Sequence, residues 1–407
     1  MKIVHLNTNS DSGGAAIAAK RHCKAMVAAG IDAKLVSYRG SPDNNTILFP
    51  YEHIPFIQHM KDSISYRLSK NIVNQSLWNL ESNNFDVTKC KEVKEADIIY
   101  IHWVSGYLGA KSIISLLSLG KPIVWYMHDM APITGGCHYS FDCLEFKKKC
   151  VNCTELRCCK FMAKMQLKKH MQWQSYDNLV GVAPSQWLTD CIKESSVFKG
   201  HQAFCIPNVI DTSIFRPLNK KEVREKLHLP QNKKLVMFAS MPANDRCKGS
   251  KFLVQILDFL AANTDYEFLV AGNSNPELFS SKTRSKIHST GQISDESQMA
   301  EVYNAADVYL ITSLAENFPN VIIECMACGI PAVGFATGGI KDQIQHKING
   351  WIVPPKDVDG AIKGLSWVLD NLEYAALCQN ARNYVENNCS FNRVLEIHKP
   401  VFSLISH

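Results

Sequence analysis

The sequence predicts an α/β protein built as two doubly wound parallel-sheet units in tandem. Three observations lead there. Short apolar runs alternate with helix-forming stretches, the alternation restarts at Lys234, and a proline-bracketed segment joins the halves.

Lys2–Thr8 reads as the first strand, followed by a polar turn with Gly13-Gly14. Ala15–Ala29 holds strong helix formers and stops at Gly30, a natural residue past a helix end. Ala33–Tyr38, Ile98–Trp103, Pro122–His128, Leu179–Ala183 and Ala203–Ile206 are further strands. Their near-continuous apolar character suits a parallel sheet covered on both faces. Pro42–Asn84 lacks clean periodicity and reads as loop plus helix. In the second half Lys234–Ala239, Tyr266–Ala271, Val308–Thr312, Pro331–Phe335 and Trp351–Val353 read as strands. Lys251–Ala262, Pro319–Cys328, Ile340–Gln345 and Asp357–Leu369 read as helices. The join runs from Pro207 to Pro217 and carries turn formers.

Composition bounds the class. The chain has 407 residues, 46% hydrophobic and 20% charged, enough for two ordinary cores. Disorder, collagen and low complexity are excluded by the same figures. No stretch approaches the ~20 apolar residues of a membrane span. The start, with Lys2 before Ile3–Leu6 and then a polar run, reads as a strand and not as a signal peptide. A cytoplasmic protein with mostly reduced thiols is the expectation. Residues 1–205 hold 24 Lys/Arg against 17 Asp/Glu, while residues 206–407 hold 20 against 21. The basic excess therefore lies in the first half, densest from Lys147 to Lys169. It suits an anionic partner there, with a solvated helix face as the plain alternative.

One motif dominates the second half. After the strand ending at Thr312 come Glu316, Asn317, Phe318, Pro319 and Asn320, then a helix carrying Glu324. Pro319 suits a first helical turn. Backbone amides near Phe318 and Asn320 make the helix start an anion or hydroxyl site. An acidic Glu324 among Ile322, Ile323 and Met326 needs a partner. Taken singly, Glu316 as a helix cap and Glu324 as an ion-pair partner are the plain readings.

In context the residues resemble the retaining glycosyltransferases of family 4. The Glu316-x7-Glu324 spacing continues into Gly329-Ile330-Pro331, Thr337-Gly338-Gly339 and Asn349-Gly350 to Pro355, with Gly291 and Tyr303–Val308 upstream. Asn208, Asp211, Phe215 and Pro217 match the family's linker pattern. The resemblance implies the GT-B fold, two facing Rossmann-like domains with a central cleft. It divides the chain into an acceptor-binding domain 1–207, a linker 208–217, a donor-binding domain 218–388 and a C-terminal helix 389–407 crossing back to the first domain. It implies a nucleoside-diphosphate sugar, UDP- or GDP-linked, as donor and a retaining outcome without a catalytic metal or other cofactor.

By the same resemblance Glu324 holds the donor ribose, Glu316 the donor sugar's hydroxyls, and Phe318 and Asn320 offer amides. Gly338 and Gly339 allow close backbone approach. Lys248, in Lys248-Gly249, stabilises the departing diphosphate. The family's arginine usually stands about six positions earlier, where this chain has Pro242. Arg246 is nearby but out of register, either a substitute or a surface residue. Gly13 and Gly14 open the first helix toward the donor diphosphate. His128 orients a hydroxyl or relays a proton, with a structural histidine as the alternative. His102, Trp103 and Asp129 are acceptor-side candidates.

His128-Asp129-Met130 through Thr134–Tyr139, with the cysteines that follow, is similar to a bacterial exopolysaccharide and capsule subfamily of the colanic-acid type. That implies a saccharide acceptor, lipid-linked, with peripheral contact at the cytoplasmic face of the inner membrane and no nucleic acid. Six of the 15 cysteines lie between Cys137 and Cys159. Cys137, Cys143, Cys150 and Cys153 allow a structural zinc site in the loop 137–159, with disulfides or free thiols as alternatives. A GT-B scaffold with weak turnover, or a nucleotide-sugar binding module, is the rival reading, prompted by the displaced arginine.

Overall fold

Parallel strands need crossovers, and the helical stretches between the apolar runs supply them. The computed structural model describes residues 1–50, 78, 81, 84–157, 160–239, 245–272 and 276–403. The chain forms two units, residues 1–209 with 391–407, and residues 210–390.

In the first unit β1 (Lys2–Asn9), β2 (Asp32–Arg39), β3 (Thr46–Leu48), β4 (Ile98–Ile101), β5 (Ile123–Tyr126), β6 (Leu179–Ala183) and β7 (Ala203–Cys205) build one parallel sheet. Its order is β3-β2-β1-β4-β5-β6-β7, so the order reverses between β1 and β4. Every residue of β4 and β5 is buried, as a sheet covered on both faces requires. One face packs Ile99, Ile101, Trp125 and Trp173. The other packs Ile3, Tyr100, Val124 and Tyr126 under the Gly14–Ala28 helix, with Val394 and Val401 of the C-terminal Val394–Ser403 helix.

In the second unit β8 (Lys234–Ala239), β9 (Tyr266–Ala271), β10 (Ile287–Ser289), β11 (Val308–Ile311), β12 (Ala332–Phe335) and β13 (Gly350–Val353) form a second parallel sheet. The order is β10-β9-β8-β11-β12-β13, reversing between β8 and β11. Both sheets therefore have a topological switch point, where loops diverge and ligands gather.

Differences from the sequence reading are local. β3 and β10 were not expected: both are three-residue edge strands with polar positions, too short to alternate visibly. β3 lies inside the Pro42–Asn84 stretch, most of which is outside the described residues, as is the last part of the C-terminal segment. β4 ends at Ile101 and β5 at Tyr126, so His102, Trp103 and His128 sit just past strand ends. The segment 208–217 is not a bare linker. Ile210 and Phe215 belong to the second unit's core, and burying such a side chain is worth about 2 kcal/mol.

Arg382 fixes this segment. Its Nη1 donates to the carbonyls of Phe215 and Ala327, both at 2.6 Å, and its Nη2 to that of Thr212 at 3.1 Å. Ala327 ends the Asn320–Ala327 helix, so the guanidinium also satisfies orphan carbonyls at its C-terminus. Arg382→Ala orphans three carbonyls together and should cost about 3 kcal/mol. Denaturant unfolding of the variant checks this, and an unchanged midpoint would refute the clamp.

Candidate active site

The second unit's site is built by two loops at the β8/β11 switch point. The loop after β8 ends at Gly249, which starts the Ser250–Leu260 helix in the left-handed region with φ 65°. A Cβ there would lie 2.1 Å from the Thr312 carbonyl oxygen. Only glycine allows both the backbone angle and the approach. The loops are then fastened together. The Cys247 carbonyl accepts from Leu314 N at 2.6 Å and Ala315 N at 3.2 Å. Thr312 Oγ1 donates to the Lys248 carbonyl at 3.2 Å.

This fastening sets Lys248 Nζ on Glu316 Oε1 in a short ion pair, with Ser313 Oγ donating to the same oxygen at 3.3 Å. Burial pulls the Lys248 amine down, but the Glu316 carboxylate and then Asp245 outweigh it, so its pKa is raised. Lys248 therefore stays cationic. The backbone N–H of Gly339 reaches the Glu316 carbonyl at 3.4 Å, joining the Thr337-Gly338-Gly339 turn to this loop. Gly338 takes φ 52° there.

Pro319 is the N-cap, and the helix begins at Asn320. Phe318 and Glu324 are both buried, at 6% exposure each. The partner that Glu324 needs is Tyr303, whose phenol donates to Oε2 at 2.7 Å. Tyr303 comes from the Glu296–Ala305 helix and is fully buried. Sequence reasoning quoted Tyr303 only as part of a pattern. A tyrosine one helix away from an isolated acid gave no spacing signal. Arg246 is exposed on the loop before Lys248. Pro242 lies outside the described residues.

The first unit gathers its candidates beside its own switch point. Thr8 N donates to the Trp103 carbonyl at 2.8 Å, and Trp103 N to Asn7 Oδ1 at 2.9 Å. Gly13 is the N-cap of the Gly14–Ala28 helix with φ 93°, a conformation its turn requires, though open space surrounds it. Trp103 and Asp129 meet: Trp103 Nε1 donates to Asp129 Oδ2 at 2.9 Å. The same oxygen pairs with His138 Nδ1 at 2.5 Å. Burial raises the Asp129 carboxyl, but His138 and the Ala131 and Trp103 donors outweigh it and hold it low. His138 was missed as a partner because it lies nine residues away in the cysteine loop.

His128 and His102 also meet, and they bring a third ring. His102 Nδ1 lies 2.9 Å from His128 Nε2, and His102 Nε2 lies 2.9 Å from His5 Nδ1. The signal existed in the sequence. His5, Tyr100, His102, Tyr126 and His128 share one parity on three adjacent strands, so they share a face. His22 and His398 pack on the same face, with ring centroids 5.3 Å apart. Burial pushes His5 to about 3 and His128 and His398 to about 4, and it pushes His22 and His102 well below the ordinary range.

Among the described residues no three His, Cys, Asp or Glu side chains are grouped to hold a metal ion. Cys137, Cys143, Cys150 and Cys153 are free thiols. Burial pushes Cys150 up to about 12, a hydrogen bond to Cys153 with burial pushes Cys137 up, and the same hydrogen bond pulls Cys153 down to about 6. Cys158 and Cys159 lie outside the described residues.

Comparisons with known proteins find similarity in the same unit and in the fold. Residues 232–371 match the family model for glycosyl transferases group 1, a stretch that contains Lys248, Glu316, Glu324 and Gly338-Gly339. The matched stretch lies within the unit that carries the ion pair. The chain is 29% identical over 178 residues to D-inositol 3-phosphate glycosyltransferase of Mycolicibacterium smegmatis, covering 41% of this chain and 40% of that protein. It is 24% identical over 220 residues to the Escherichia coli UDP-Gal:alpha-D-GlcNAc-diphosphoundecaprenol alpha-1,3-galactosyltransferase, covering 51% and 55%. The chain thus spans about half the length of these curated relatives. Across the whole chain the fold is similar to sucrose-phosphate synthase of Thermosynechococcus elongatus, with TM-score 0.68, 18% identity and full coverage of both chains. Anabaena HepE in complex with UDP and glucose gives TM-score 0.66 at 16% identity, covering 100% and 99%. The fold is the α/β architecture of GT-B glycosyltransferases, with two parallel-sheet Rossmann-like domains.

Two outcomes follow. Gly249→Ala places a Cβ against the Thr312 carbonyl at a left-handed position and should destabilise the second unit by about 2 kcal/mol or more; a thermal midpoint within a degree of wild type would contradict it. Second, the five buried histidines have folded pKa values below the unfolded value near 6.5. The unfolded chain then binds more protons as pH falls from about 6.5 toward 4, and stability drops by up to ~1.4 kcal/mol per histidine per pH unit. Urea midpoints should fall steadily from pH 7 to 5, and a flat profile would show that the rings are not buried neutral.

Proposed function

We propose that the protein is a retaining glycosyltransferase. It moves a hexosyl group from a nucleoside-diphosphate sugar, UDP- or GDP-linked, to a hydroxyl of a lipid-linked saccharide in bacterial surface polysaccharide biosynthesis, of the capsule or exopolysaccharide kind. The observation that carries the reading is Lys248 beside Glu316 at a switch point, within reach of the helix start that leads to Glu324.

The chemistry follows from those groups. A nucleoside diphosphate leaves with growing negative charge, and a fixed cation there lowers the barrier. Lys248 is cationic and held by backbone, so it serves that role, joined by the amides of Phe318 and Asn320 and by Arg246 on the same loop. Glu324, oriented by Tyr303, takes the ribose hydroxyls. Glu316 exchanges Lys248 for the donor sugar's hydroxyls as the diphosphate arrives. His128 is neutral and orients a hydroxyl by hydrogen bonding; it is not a standing acid. The acceptor hydroxyl attacks on the face the diphosphate leaves, and the diphosphate takes its proton, so configuration is retained without a metal.

Two printed names support the substrate classes: the Escherichia coli relative is named for a diphosphoundecaprenol-linked acceptor, and HepE binds UDP and glucose. A membrane-facing surface is supported by the Phe161–His170 helix and Lys160 before it. Lys160, Phe161, Lys164, Met165, Lys168 and Lys169 are its exposed face, and it holds no acid. Phe161 is 64% and Met165 50% exposed. Lysines around apolar side chains suit an anionic bilayer surface at the cytoplasmic face of the inner membrane. No helix among the described residues is long and apolar enough to cross a membrane.

A panel of radiolabelled UDP- and GDP-sugars with lipid-linked saccharide acceptors tests the reaction. One donor should be transferred with retention, and Lys248→Ala or Glu316→Gln should cut transfer about 100-fold with the fold intact. Donor binding without any turnover would favour the scaffold reading, and no donor binding would refute both. For the surface, Lys164→Glu with Lys168→Glu should weaken binding to phosphatidylglycerol vesicles about tenfold or more. Equal binding to phosphatidylcholine vesicles would refute it.

A further inference from the structure

Three imidazoles in a row are an unusual load for a dry sheet face. His5 lies within β1, His102 one residue past β4 and His128 two residues past β5. His5 and His102 are fully buried, at 0% and 2% exposure, and His128 alone is partly exposed. Two contacts of 2.9 Å link them in series.

Each neutral imidazole has one N–H and one bare nitrogen. His102 has one proton and two imidazole partners, so it donates to one and accepts from the other. Only two neutral arrangements satisfy both bonds. In one, all three rings carry the proton on Nδ1, and His128 Nδ1 is a donor. In the other, all three carry it on Nε2, and His128 Nδ1 is an acceptor. The tautomer of the partly exposed ring is thus tied to that of two buried ones.

We propose that His5, His102 and His128 act as one tautomer-locked imidazole chain, in which His5 and His102 are positioning residues that fix whether His128 meets a bound hydroxyl as donor or acceptor. The proposal rests on the glycosyltransferase reading only for what that ligand is. The chain holds a proton pattern and does not conduct. Passing a proton outward from His128 Nδ1 would draw one from His102 and then from His5. His5 would be left as an imidazolate, because its Nε2 is buried with no partner among the described residues. Taking up a proton would place a cation among Tyr100, Tyr126, His22 and His398, whose rings surround the chain. The one acid beside it, Asp129, is already engaged by His138 and Trp103. Neither change is favourable, so the neutral pattern persists.

The test reads the rings directly. Long-range proton–nitrogen spectra of the full chain labelled with 15N-histidine should show His102 and His128 each as a single neutral tautomer at neutral pH, protonated on the same nitrogen. His102→Phe keeps a ring but removes both bonds, and His128 should become a tautomer mixture. His102→Asn, whose amide lies where Nδ1 lay, should restore the single form. Sugar transfer should follow, with kcat about tenfold lower in His102→Phe, donor KM within about twofold, and most of the loss recovered in His102→Asn. A tautomer mixture at His128 in the wild type overturns the proposal, and so does an unchanged His128 pattern in His102→Phe. Should His102→Phe fail to fold, His5→Phe and the wild-type spectrum decide it. If no donor sugar is transferred, the glycosyltransferase reading fails while the ring-nitrogen spectrum still judges the chain.

Discussion

A parallel sheet with both faces covered has no wet side, and most of this structure follows from that constraint. Strand interiors such as Ile98–Ile101 and Ile123–Tyr126 are wholly buried and carry mostly apolar or aromatic side chains. Polar chemistry is left to the strand ends, and the widest gaps between loops open where strand order reverses. Thr312, His102 and His128 all stand just past strand ends for this reason. His5 and Tyr100 are among the polar side chains buried inside the first sheet, with Asn7, Ser37 and Tyr126. A buried histidine can be kept there because it sheds its charge and because it shares a hydrogen bond with a neighbouring ring.

In the second unit the ion pair is a consequence of the backbone and not its cause. Lys248 has a side chain 41% exposed, so its attraction to Glu316 is screened and contributes little to stability. The lysine's place is fixed instead by the Cys247 and Lys248 carbonyls bonded to the Thr312–Ala315 loop, and by the glycine that follows. A loop held in this way can surrender its ion pair to an incoming anion without losing its shape. That is the behaviour a binding site needs, and it distinguishes this pair from Arg224 with Asp307, where Leu235 N also binds the carboxylate and the guanidinium is 4% exposed.

Much of this was legible in the sequence because the signals were local. Apolar runs gave the strands, and Gly30 and Pro319 marked helix limits within a residue or so. Glu316, Glu324 and Lys248 were singled out by their spacing and by the family resemblance. What was not legible depends on pairing across the sheet or between helices. Tyr303 reaches Glu324 from another helix, and His138 reaches Asp129 from a loop. The cysteine spacing was legible, but it does not encode the hydrogen bond between Cys137 and Cys153, which depends on how the loop folds back. Edge strands β3 and β10 were lost because three residues carry no period.

Charge shows why placement must be added to counting. The second half is nearly neutral by composition, and several of its cations are engaged by groups of the fold. Lys220 and Arg224 hold Asp307, Lys226 holds Glu301, and Arg382 holds three carbonyls. In the first unit the Phe161–His170 helix keeps its lysines on the outside with no ion-pair partner among the described residues, while Ala163, Gln166, Leu167 and His170 face inward. The same helix therefore packs with one side and presents cations around Phe161 and Met165 with the other. An anionic surface approaching this helix would meet those exposed lysines. The apolar pair at its centre gives such a surface something to bury once charge has brought it close.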